Sequence, residues 1–283
     1  MICANILHFT CILFGHFEKK QYLCSTFEEM KLENLTIGYG NHVVQQNLSL
    51  SVKGGEMVCV LGKNGCGKST LLRTLSGLQP ALGGTCVMPD GRKVSELTER
   101  EKAQNMAIVL TERLSADNTP VEDVVAMGRY PYSGWLGALT DKDHTIIEEA
   151  MRQTEVLEKR HAYFNELSDG EKQRVLISKA LAQETPYIFL DEPTAHLDLP
   201  NRIKTLLLLR ELAHKAGKAV VISTHELDLA LQTADVIWLM KPGAGVVVGT
   251  PENLVGNGDF GRAFEDPHFC FLTSDGTLKI QIK

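Results

Sequence analysis

The 283-residue chain has no apolar run long enough to cross a bilayer. Its nearest approach, Ile2 to Phe17, is interrupted by Asn5, His8, Thr10 and His16 and falls short of the roughly 18 apolar residues that a span needs. It also lacks a basic leader and a small-residue cleavage site, so it reads poorly as a secretory signal. Basic charge is not in excess. The 29 Lys and Arg stand against 35 Asp and Glu, a net charge of −6, which argues against a nucleic-acid-coating surface. Seven cysteines are too few for a disulfide framework. Cys59, Cys66 and Cys86 show neither C-x-x-C nor zinc spacing, so the chain reads as one of a reducing compartment without disulfides. There is no internal repeat, low-complexity stretch or sustained heptad. What remains is ordinary globular composition, 43% hydrophobic and 23% charged, enough for one large α/β domain or two modest ones.

One stretch stands out from this background. Gly62-Lys63-Asn64-Gly65-Cys66-Gly67-Lys68-Ser69-Thr70 fits G-x-x-x-x-G-K-[ST], a phosphate-binding loop. Its glycines let main-chain N–H groups curl around phosphate oxygens. Lys68 brings a positive charge to the outer phosphates, and Ser69 offers a hydroxyl to Mg²⁺. The apolar Met57–Leu61 before it predicts a buried strand. Thr70–Leu75 after it predicts a helix whose N-terminus faces the anion. Strand, glycine loop and helix together predict binding of ATP or GTP. Cys66, inside the loop, reads as a small filler side chain.

Met30 directly precedes a strand-like start at Lys31. Residues 1–29 therefore read as an extension of doubtful status, either an over-extended gene start or a membrane-associating segment. Lys31–Lys53 predicts two antiparallel strands, with Tyr39 at the end of the first. After Gln79–Gly84, residues 85–110 predict short strands and one short helix. Thr119, read as a cap, and Pro120 at the first helical position open a helix. Gly128–Gly137 breaks it, and Asp141–Lys159 reads as a second amphipathic helix. A largely helical insertion of about 115–165 thus separates two α/β parts. Its aromatics, Tyr130 to Trp135 among glycines, suggest an exposed docking surface, with a locally packed helix hairpin as the alternative.

Leu167-Ser168-Asp169-Gly170-Glu171 opens a helix running to about Gln183. Ser168 or Asp169 could cap it, or its N-terminus could face a second phosphate. Tyr187–Leu190 is an apolar strand ending in Asp191 and Glu192. In doubly wound folds that end lies beside the phosphate loop. Asp191 can then hold Mg²⁺ through water, and Glu192 can polarise an attacking water. Ala219–Thr224 predicts another buried strand, ending at His225, within reach of a γ-phosphate. A helix over Glu226–Ala234, a strand over Val236–Met240, a last helix from Pro251 and two short strands in the tail complete the reading.

The motifs in this order resemble the ATP-binding subunit of an ABC transporter: the phosphate loop, Leu167–Glu171, Phe189–Glu192, Ala195-His196-Leu197-Asp198 and His225. The resemblance covers about Lys31 to Pro251. It implies an α/β P-loop ATPase core with an antiparallel β subdomain and a helical subdomain at about 115–185, followed by a C-terminal accessory segment, 252–283. It also implies that Tyr39 stacks on adenine and that Gly62, Asn64, Gly65, Cys66, Gly67, Lys68, Ser69 and Thr70 hold the phosphates. Ser69 and Asp191 would hold Mg²⁺. Glu192 matches the catalytic glutamate and His225 the switch histidine. Ser168 and Gly170 would contact ATP held by a second copy, and Asp198 would cross that dimer interface. Lys63 and Cys66 replace the commoner proline and serine. Asp169 and Glu171 replace glycine and glutamine. Thr111 stands where the family has a glutamine that touches Mg²⁺ and water, so its shorter side chain implies an intervening water or altered coupling.

Val124–Tyr132, with Trp135-Leu136-Gly137 and Asp141, is similar to importer ATPases for iron–siderophore, haem and vitamin B12 uptake. So is Thr194–Asp198. That similarity implies polytopic permease subunits docked near 115–165, a solute-binding protein in the complex, and a peripheral place on the cytoplasmic face of a bacterial inner membrane. A non-transport ABC ATPase acting on DNA or ribosomes is the alternative. Such proteins usually carry coiled-coil insertions or two cassettes, which this chain lacks. A kinase using the same loop would leave Leu167–Glu171 and His225 unexplained.

Overall fold

A computed structural model describes residues 29–111, 116–134, 137–195, 197–243, 245–265, 268–274 and 277–282. Residues 1–28, Glu112, Trp135, Leu136 and His196, on which sequence expectations fall, lie outside the described residues.

β1 (Glu29–Tyr39), β2 (His42–Lys53) and β4 (Gly83–Val87) form an antiparallel sheet in the order β2-β1-β4. β1 buries Met30 and Leu32, then Leu35 and Ile37. The alternation skips one residue because the register shifts between Leu32 and Leu35, where Asn34 has φ 48°. That bulge returns the apolar side chains to the same face.

The second sheet has six strands, β3 (Met57–Gly62), β5 (Met106–Val109), β6 (Tyr187–Asp191), β7 (Ala219–Ser223), β8 (Val236–Met240) and β9 (Val246–Gly249), in the order β5-β6-β7-β3-β8-β9. Its pairs are parallel except β8–β9. Every residue of β3, β6 and β7 is buried, as expected for strands covered on both faces. Val58 and Val60 face one core with β1, β2 and α1 (Lys68–Leu75), whose Leu71, Leu72 and Leu75 fill it. Met57, Cys59 and Leu61 face the other. There they join α3 (Val121–Ala126), α4 (Asp141–Gln153), α5 (Asp169–Ala182) and α6 (Leu199–Ala216). α2 (Glu99–Asn105) precedes β5, α7 (Leu227–Thr233) follows β7, and α8 (Pro251–Gly256) and α9 (Asp259–Ala263) follow β9. The tail forms the hairpin β10 (Phe269–Ser274) and β11 (Thr277–Ile282).

Two local expectations are corrected. Thr119 does not cap α3. Pro120 holds the cap position and makes no side-chain bond there, and Thr119 is held instead through its backbone carbonyl, which accepts from Phe164 N. The second helix stops at Gln153 rather than Lys159, because Glu155 turns left-handed at φ 58°. This brings Val156 into the core at 1% exposure, and a 3₁₀ turn over Leu157–Lys159 follows. The start of α4 is set by a capping box between Thr140 and Asp143.

The helical region is fastened at Arg129, which is 4% exposed. It donates to Asp143 (2.8 Å), Glu184 (3.0 Å) and the Ala182 carbonyl (2.7 Å). Gly128 permits that approach, since a Cβ there would sit 2.3 Å from the Lys179 carbonyl oxygen. Tyr132 packs on the Arg129 guanidinium at 4.2 Å and donates to the Gln183 carbonyl. Tyr130 beside it stays exposed.

Candidate nucleotide-binding site

The loop from Gly62 to Gly67 joins fully buried β3 to the eight-residue α1. Gly67 holds φ 106°, and a Cβ there would lie 2.6 Å from Val44 Cγ1. A side chain is excluded both by backbone angle and by space. Lys68 is 6% exposed, and its Nζ donates to the Gly62 carbonyl at 2.9 Å and toward that of Lys63 at 3.4 Å. The ammonium is therefore folded over the loop it follows. Ser69 is half-buried at the start of α1, where the free N–H groups and helix dipole favour an anion. Burial pushes the Cys66 thiol up, offset only in part by the Lys68 charge. Cys66 is thus a neutral packing residue.

Thr70 donates its hydroxyl to the Tyr39 phenol oxygen at 3.0 Å. That bond brings the end of β1 to α1 and leaves Tyr39 half exposed as a flat surface near the loop. Gln45, named by no motif, is 1% exposed. Its Nε2 donates to the Cys66 carbonyl at 3.1 Å and the Lys241 carbonyl at 2.7 Å, and its Oε1 accepts from Gly245 N at 3.1 Å. Both of its amide donors and one lone pair of its carbonyl oxygen are spent on tying β2, the loop and the β8–β9 turn together. A lone polar residue in a loosely alternating strand gave no warning of this.

Asp191 ends β6, and its register partner on β7 is Ser223, which pairs in turn with Val60 of β3. The acid therefore sits at the same carboxyl edge as the loop, two strand spacings or about 10 Å away. Ser223 is fully buried, and its Oγ donates to Asp191 Oδ1 at 2.5 Å and accepts from Glu192 N at 3.0 Å. The same N–H also approaches the Ser223 carbonyl at 3.1 Å. Glu192 has φ 51°, strained for a residue with a side chain. That turn directs its carboxylate to His225, with Nε2 to Oε1 at 2.6 Å. Thr111 donates to the Asp191 carbonyl at 3.1 Å, so its hydroxyl is anchored to the acidic strand end.

Ser168 caps α5. It accepts from Glu171 N, while its own N–H and hydroxyl donate to the Glu171 carboxylate at 2.9 and 2.8 Å. Those donors, the backbone N–H foremost, hold the Glu171 carboxyl below its usual range, and Lys159 lies 3.5 Å away. Ser168 is exposed and Gly170 half-exposed, and a methyl at Gly170 would touch Leu197 at 3.5 Å. Asp198, also exposed, caps α6 by accepting from Asn201 N at 3.0 Å. Lys68, Asp191 and Ser223 thus form a buried floor, while Ser168, Asp198 and His225 stand at the surface. A hydroxyl and a carboxylate are hard oxygen donors of the kind that hold Mg²⁺ together with substrate phosphates. The donor set of Ser69 and Asp191 fits that ion.

The ABC transporter family profile matches residues 45–195. The uncharacterized ABC transporter ATP-binding protein MJ0873 of Methanocaldococcus jannaschii is 43% identical over 227 residues, covering 80% of this chain and 78% of that protein. The ferric enterobactin transport ATP-binding protein FepC of Escherichia coli is 34% identical over 223 residues, covering 79% and 82%. Among solved structures, an inward-facing ABC transporter assigned to the metal-chelate type superposes with a TM-score of 0.74 at 26% identity, covering 90% of this chain and 97% of that one.

Proposed function

The chain belongs to the ABC transporter ATP-binding family, and from that membership we propose that it is the ATP-hydrolysing motor of an importer for an iron chelate, haem or cobalamin. The observation that carries the motor reading is the meeting of three groups at one sheet edge. These are the phosphate loop, the Ser223-anchored Asp191 and the Glu192–His225 pair. FepC, a ferric enterobactin transport protein, supports the solute class.

In this reading Tyr39 stacks on the nucleobase, and Lys68 with the loop N–H groups binds the phosphates. Ser69 and Asp191 would hold Mg²⁺, which would neutralise charge on the phosphates. Glu192 accepts a proton from the attacking water, and His225 orients Glu192 and contacts the γ-phosphate. The exposed Ser168, Gly170 and Asp198 serve the ATP of a second copy, so the active form is a homodimer completed in trans. Thr111, committed to the Asp191 carbonyl, acts on the cation through that strand end rather than by reaching it.

Among the described residues no helix is long and apolar enough to cross a membrane. Separate permease subunits supply the path, and the chain works from the cytoplasmic face, with a solute-binding protein completing the system. A cavity of about 430 Å³, lined by Leu78, Ala103, Met106, Ile108, Leu176 and Lys179 among others, adjoins the helical region. Arg100 and Gln104 hold the Pro131 carbonyl next to it. A cytoplasmic segment of the permease would dock there and against the exposed Tyr130. The test is co-purification after mild detergent extraction. Recovery of a polytopic membrane subunit in a complex whose ATPase activity responds to chelate-loaded binding protein is expected. Recovery with ribosomes or DNA from the soluble fraction would overturn the importer reading.

A further inference from the structure

The segment from Glu192 to α6 and the segment carrying His225 leave their strands separately, yet one side chain holds both. Arg202 lies in the first turns of α6, where a cation is disfavoured by the helix dipole. Its Nε donates to the Leu197 carbonyl at 2.7 Å, and its Nη1 pairs with Glu226 Oε1 at 2.6 Å. Leu197 is 4% exposed and directly precedes Asp198, the cap of the same helix. Glu226 directly follows His225, and its N–H is pinned to the Thr224 hydroxyl at 3.0 Å. On the other side, the turn from Glu192 is closed by Ala195 N to the Glu192 carbonyl and Leu197 N to the Thr194 carbonyl. A ring therefore runs Glu192, Leu197, Arg202, Glu226, His225 and back to Glu192 through the 2.6 Å pair.

We infer that Arg202 is a positioning residue. It couples the turn that ends at Asp198 to the seating of His225 against Glu192. This rests on the reading above, in which Glu192 and His225 act on ATP and Asp198 meets the second copy. Closure of two copies on Asp198 shifts the Leu197 carbonyl, and the Arg202 fork carries that shift to Glu226 and so to His225. Hydrolysis is thereby made conditional on dimer closure. A guanidinium can serve two segments at once because its donors diverge in a fixed plane, which an ammonium cannot reproduce.

The test is steady-state ATPase activity of the whole transporter carrying R202M, R202K, E226Q, H225A and R202M/H225A. R202M keeps the aliphatic stem and its packing. Because the ion pair is partly exposed, its melting temperature should stay within about 3 °C of wild type. The expected result is a fall in kcat of roughly ten- to a hundredfold, with KM for ATP within about twofold. E226Q should behave alike, R202K should fall between, and R202M/H225A should be no slower than H225A alone. If H225A is slow but R202M turns over at the wild-type rate, or if the two losses multiply, the coupling is wrong and the parent reading stands. If H225A itself runs at the wild-type rate, the parent reading falls, and the inference with it.

Discussion

Removing the Ser223 hydroxyl tests how the acidic strand end is built. Ser223 Oγ donates to the Asp191 carboxylate, and both residues are buried, at 0% and 4% exposure. Ser223→Ala leaves Glu192 N bonded to the Ser223 carbonyl at 3.1 Å, so that donor is not orphaned. The Asp191 carboxylate loses a charge-assisted bond, which costs about 1.5–3 kcal/mol. For a chain of this size each kcal/mol moves the melting temperature by roughly 2–4 °C, so the expected drop is about 3–12 °C. Turnover should fall too, since both acids lose a shared anchor. Ser223→Cys, with similar volume but a weaker donor, should lie between. Thermal melts followed by circular dichroism, with ATPase assays on the same preparations, measure both effects. An S223A protein melting within 1 °C of wild type and turning over within about twofold would refute the anchoring argument.

Three further perturbations follow from the same geometry. Lys68→Ala should weaken ATP binding itself by at least about 2 kcal/mol, roughly thirtyfold in Kd; a calorimetric Kd within threefold of wild type would contradict this. Gln45→Ala removes the partner of the buried Cys66 carbonyl and of the half-buried Lys241 carbonyl and Gly245 N–H, and a loss of about 3 kcal/mol in urea unfolding is expected, with a raised KM for ATP. Unchanged unfolding would show that Gln45 is dispensable. Asp143 is held down to about 2, first by the Thr140 hydroxyl, then by the Thr140 N–H and Arg129. Because the folded value is depressed, its stabilisation is complete above the ordinary value near 4 and is lost as pH falls through about 2. Urea unfolding of wild type and D143N should therefore differ by a constant amount above about pH 5 and converge below about pH 4. A gap that persists undiminished at pH 3 would remove Asp143 from the fastening of α4.

The parts of this protein that were readable from sequence are those with a local code. The phosphate loop needs glycines at fixed spacing, and β3, β6 and β7 announce themselves as apolar runs because both of their faces are covered. The cap at Ser168 is a short-range pattern as well. What stayed hidden depends on tertiary approach. Gln45 and Ser223 become important only when strands distant in sequence align. Arg202 and Glu226, 24 residues apart, meet only in the folded chain. The early end of α4 turns on one left-handed residue, Glu155, a type that seldom signals a stop. β9 was missed because Val246–Gly249 is short and lies on an edge.

Glu192 is proposed to drive hydrolysis of ATP held by the phosphate loop. The most direct measurement is a single-turnover comparison of wild type and E192Q with radiolabelled ATP in the presence of Mg²⁺, with size-exclusion chromatography on the same samples. E192Q should bind ATP with near-normal affinity, retain it uncleaved and accumulate as an ATP-bound dimer, while wild type releases ADP and phosphate. E192Q cleaving ATP at the wild-type rate would contradict the account at its core.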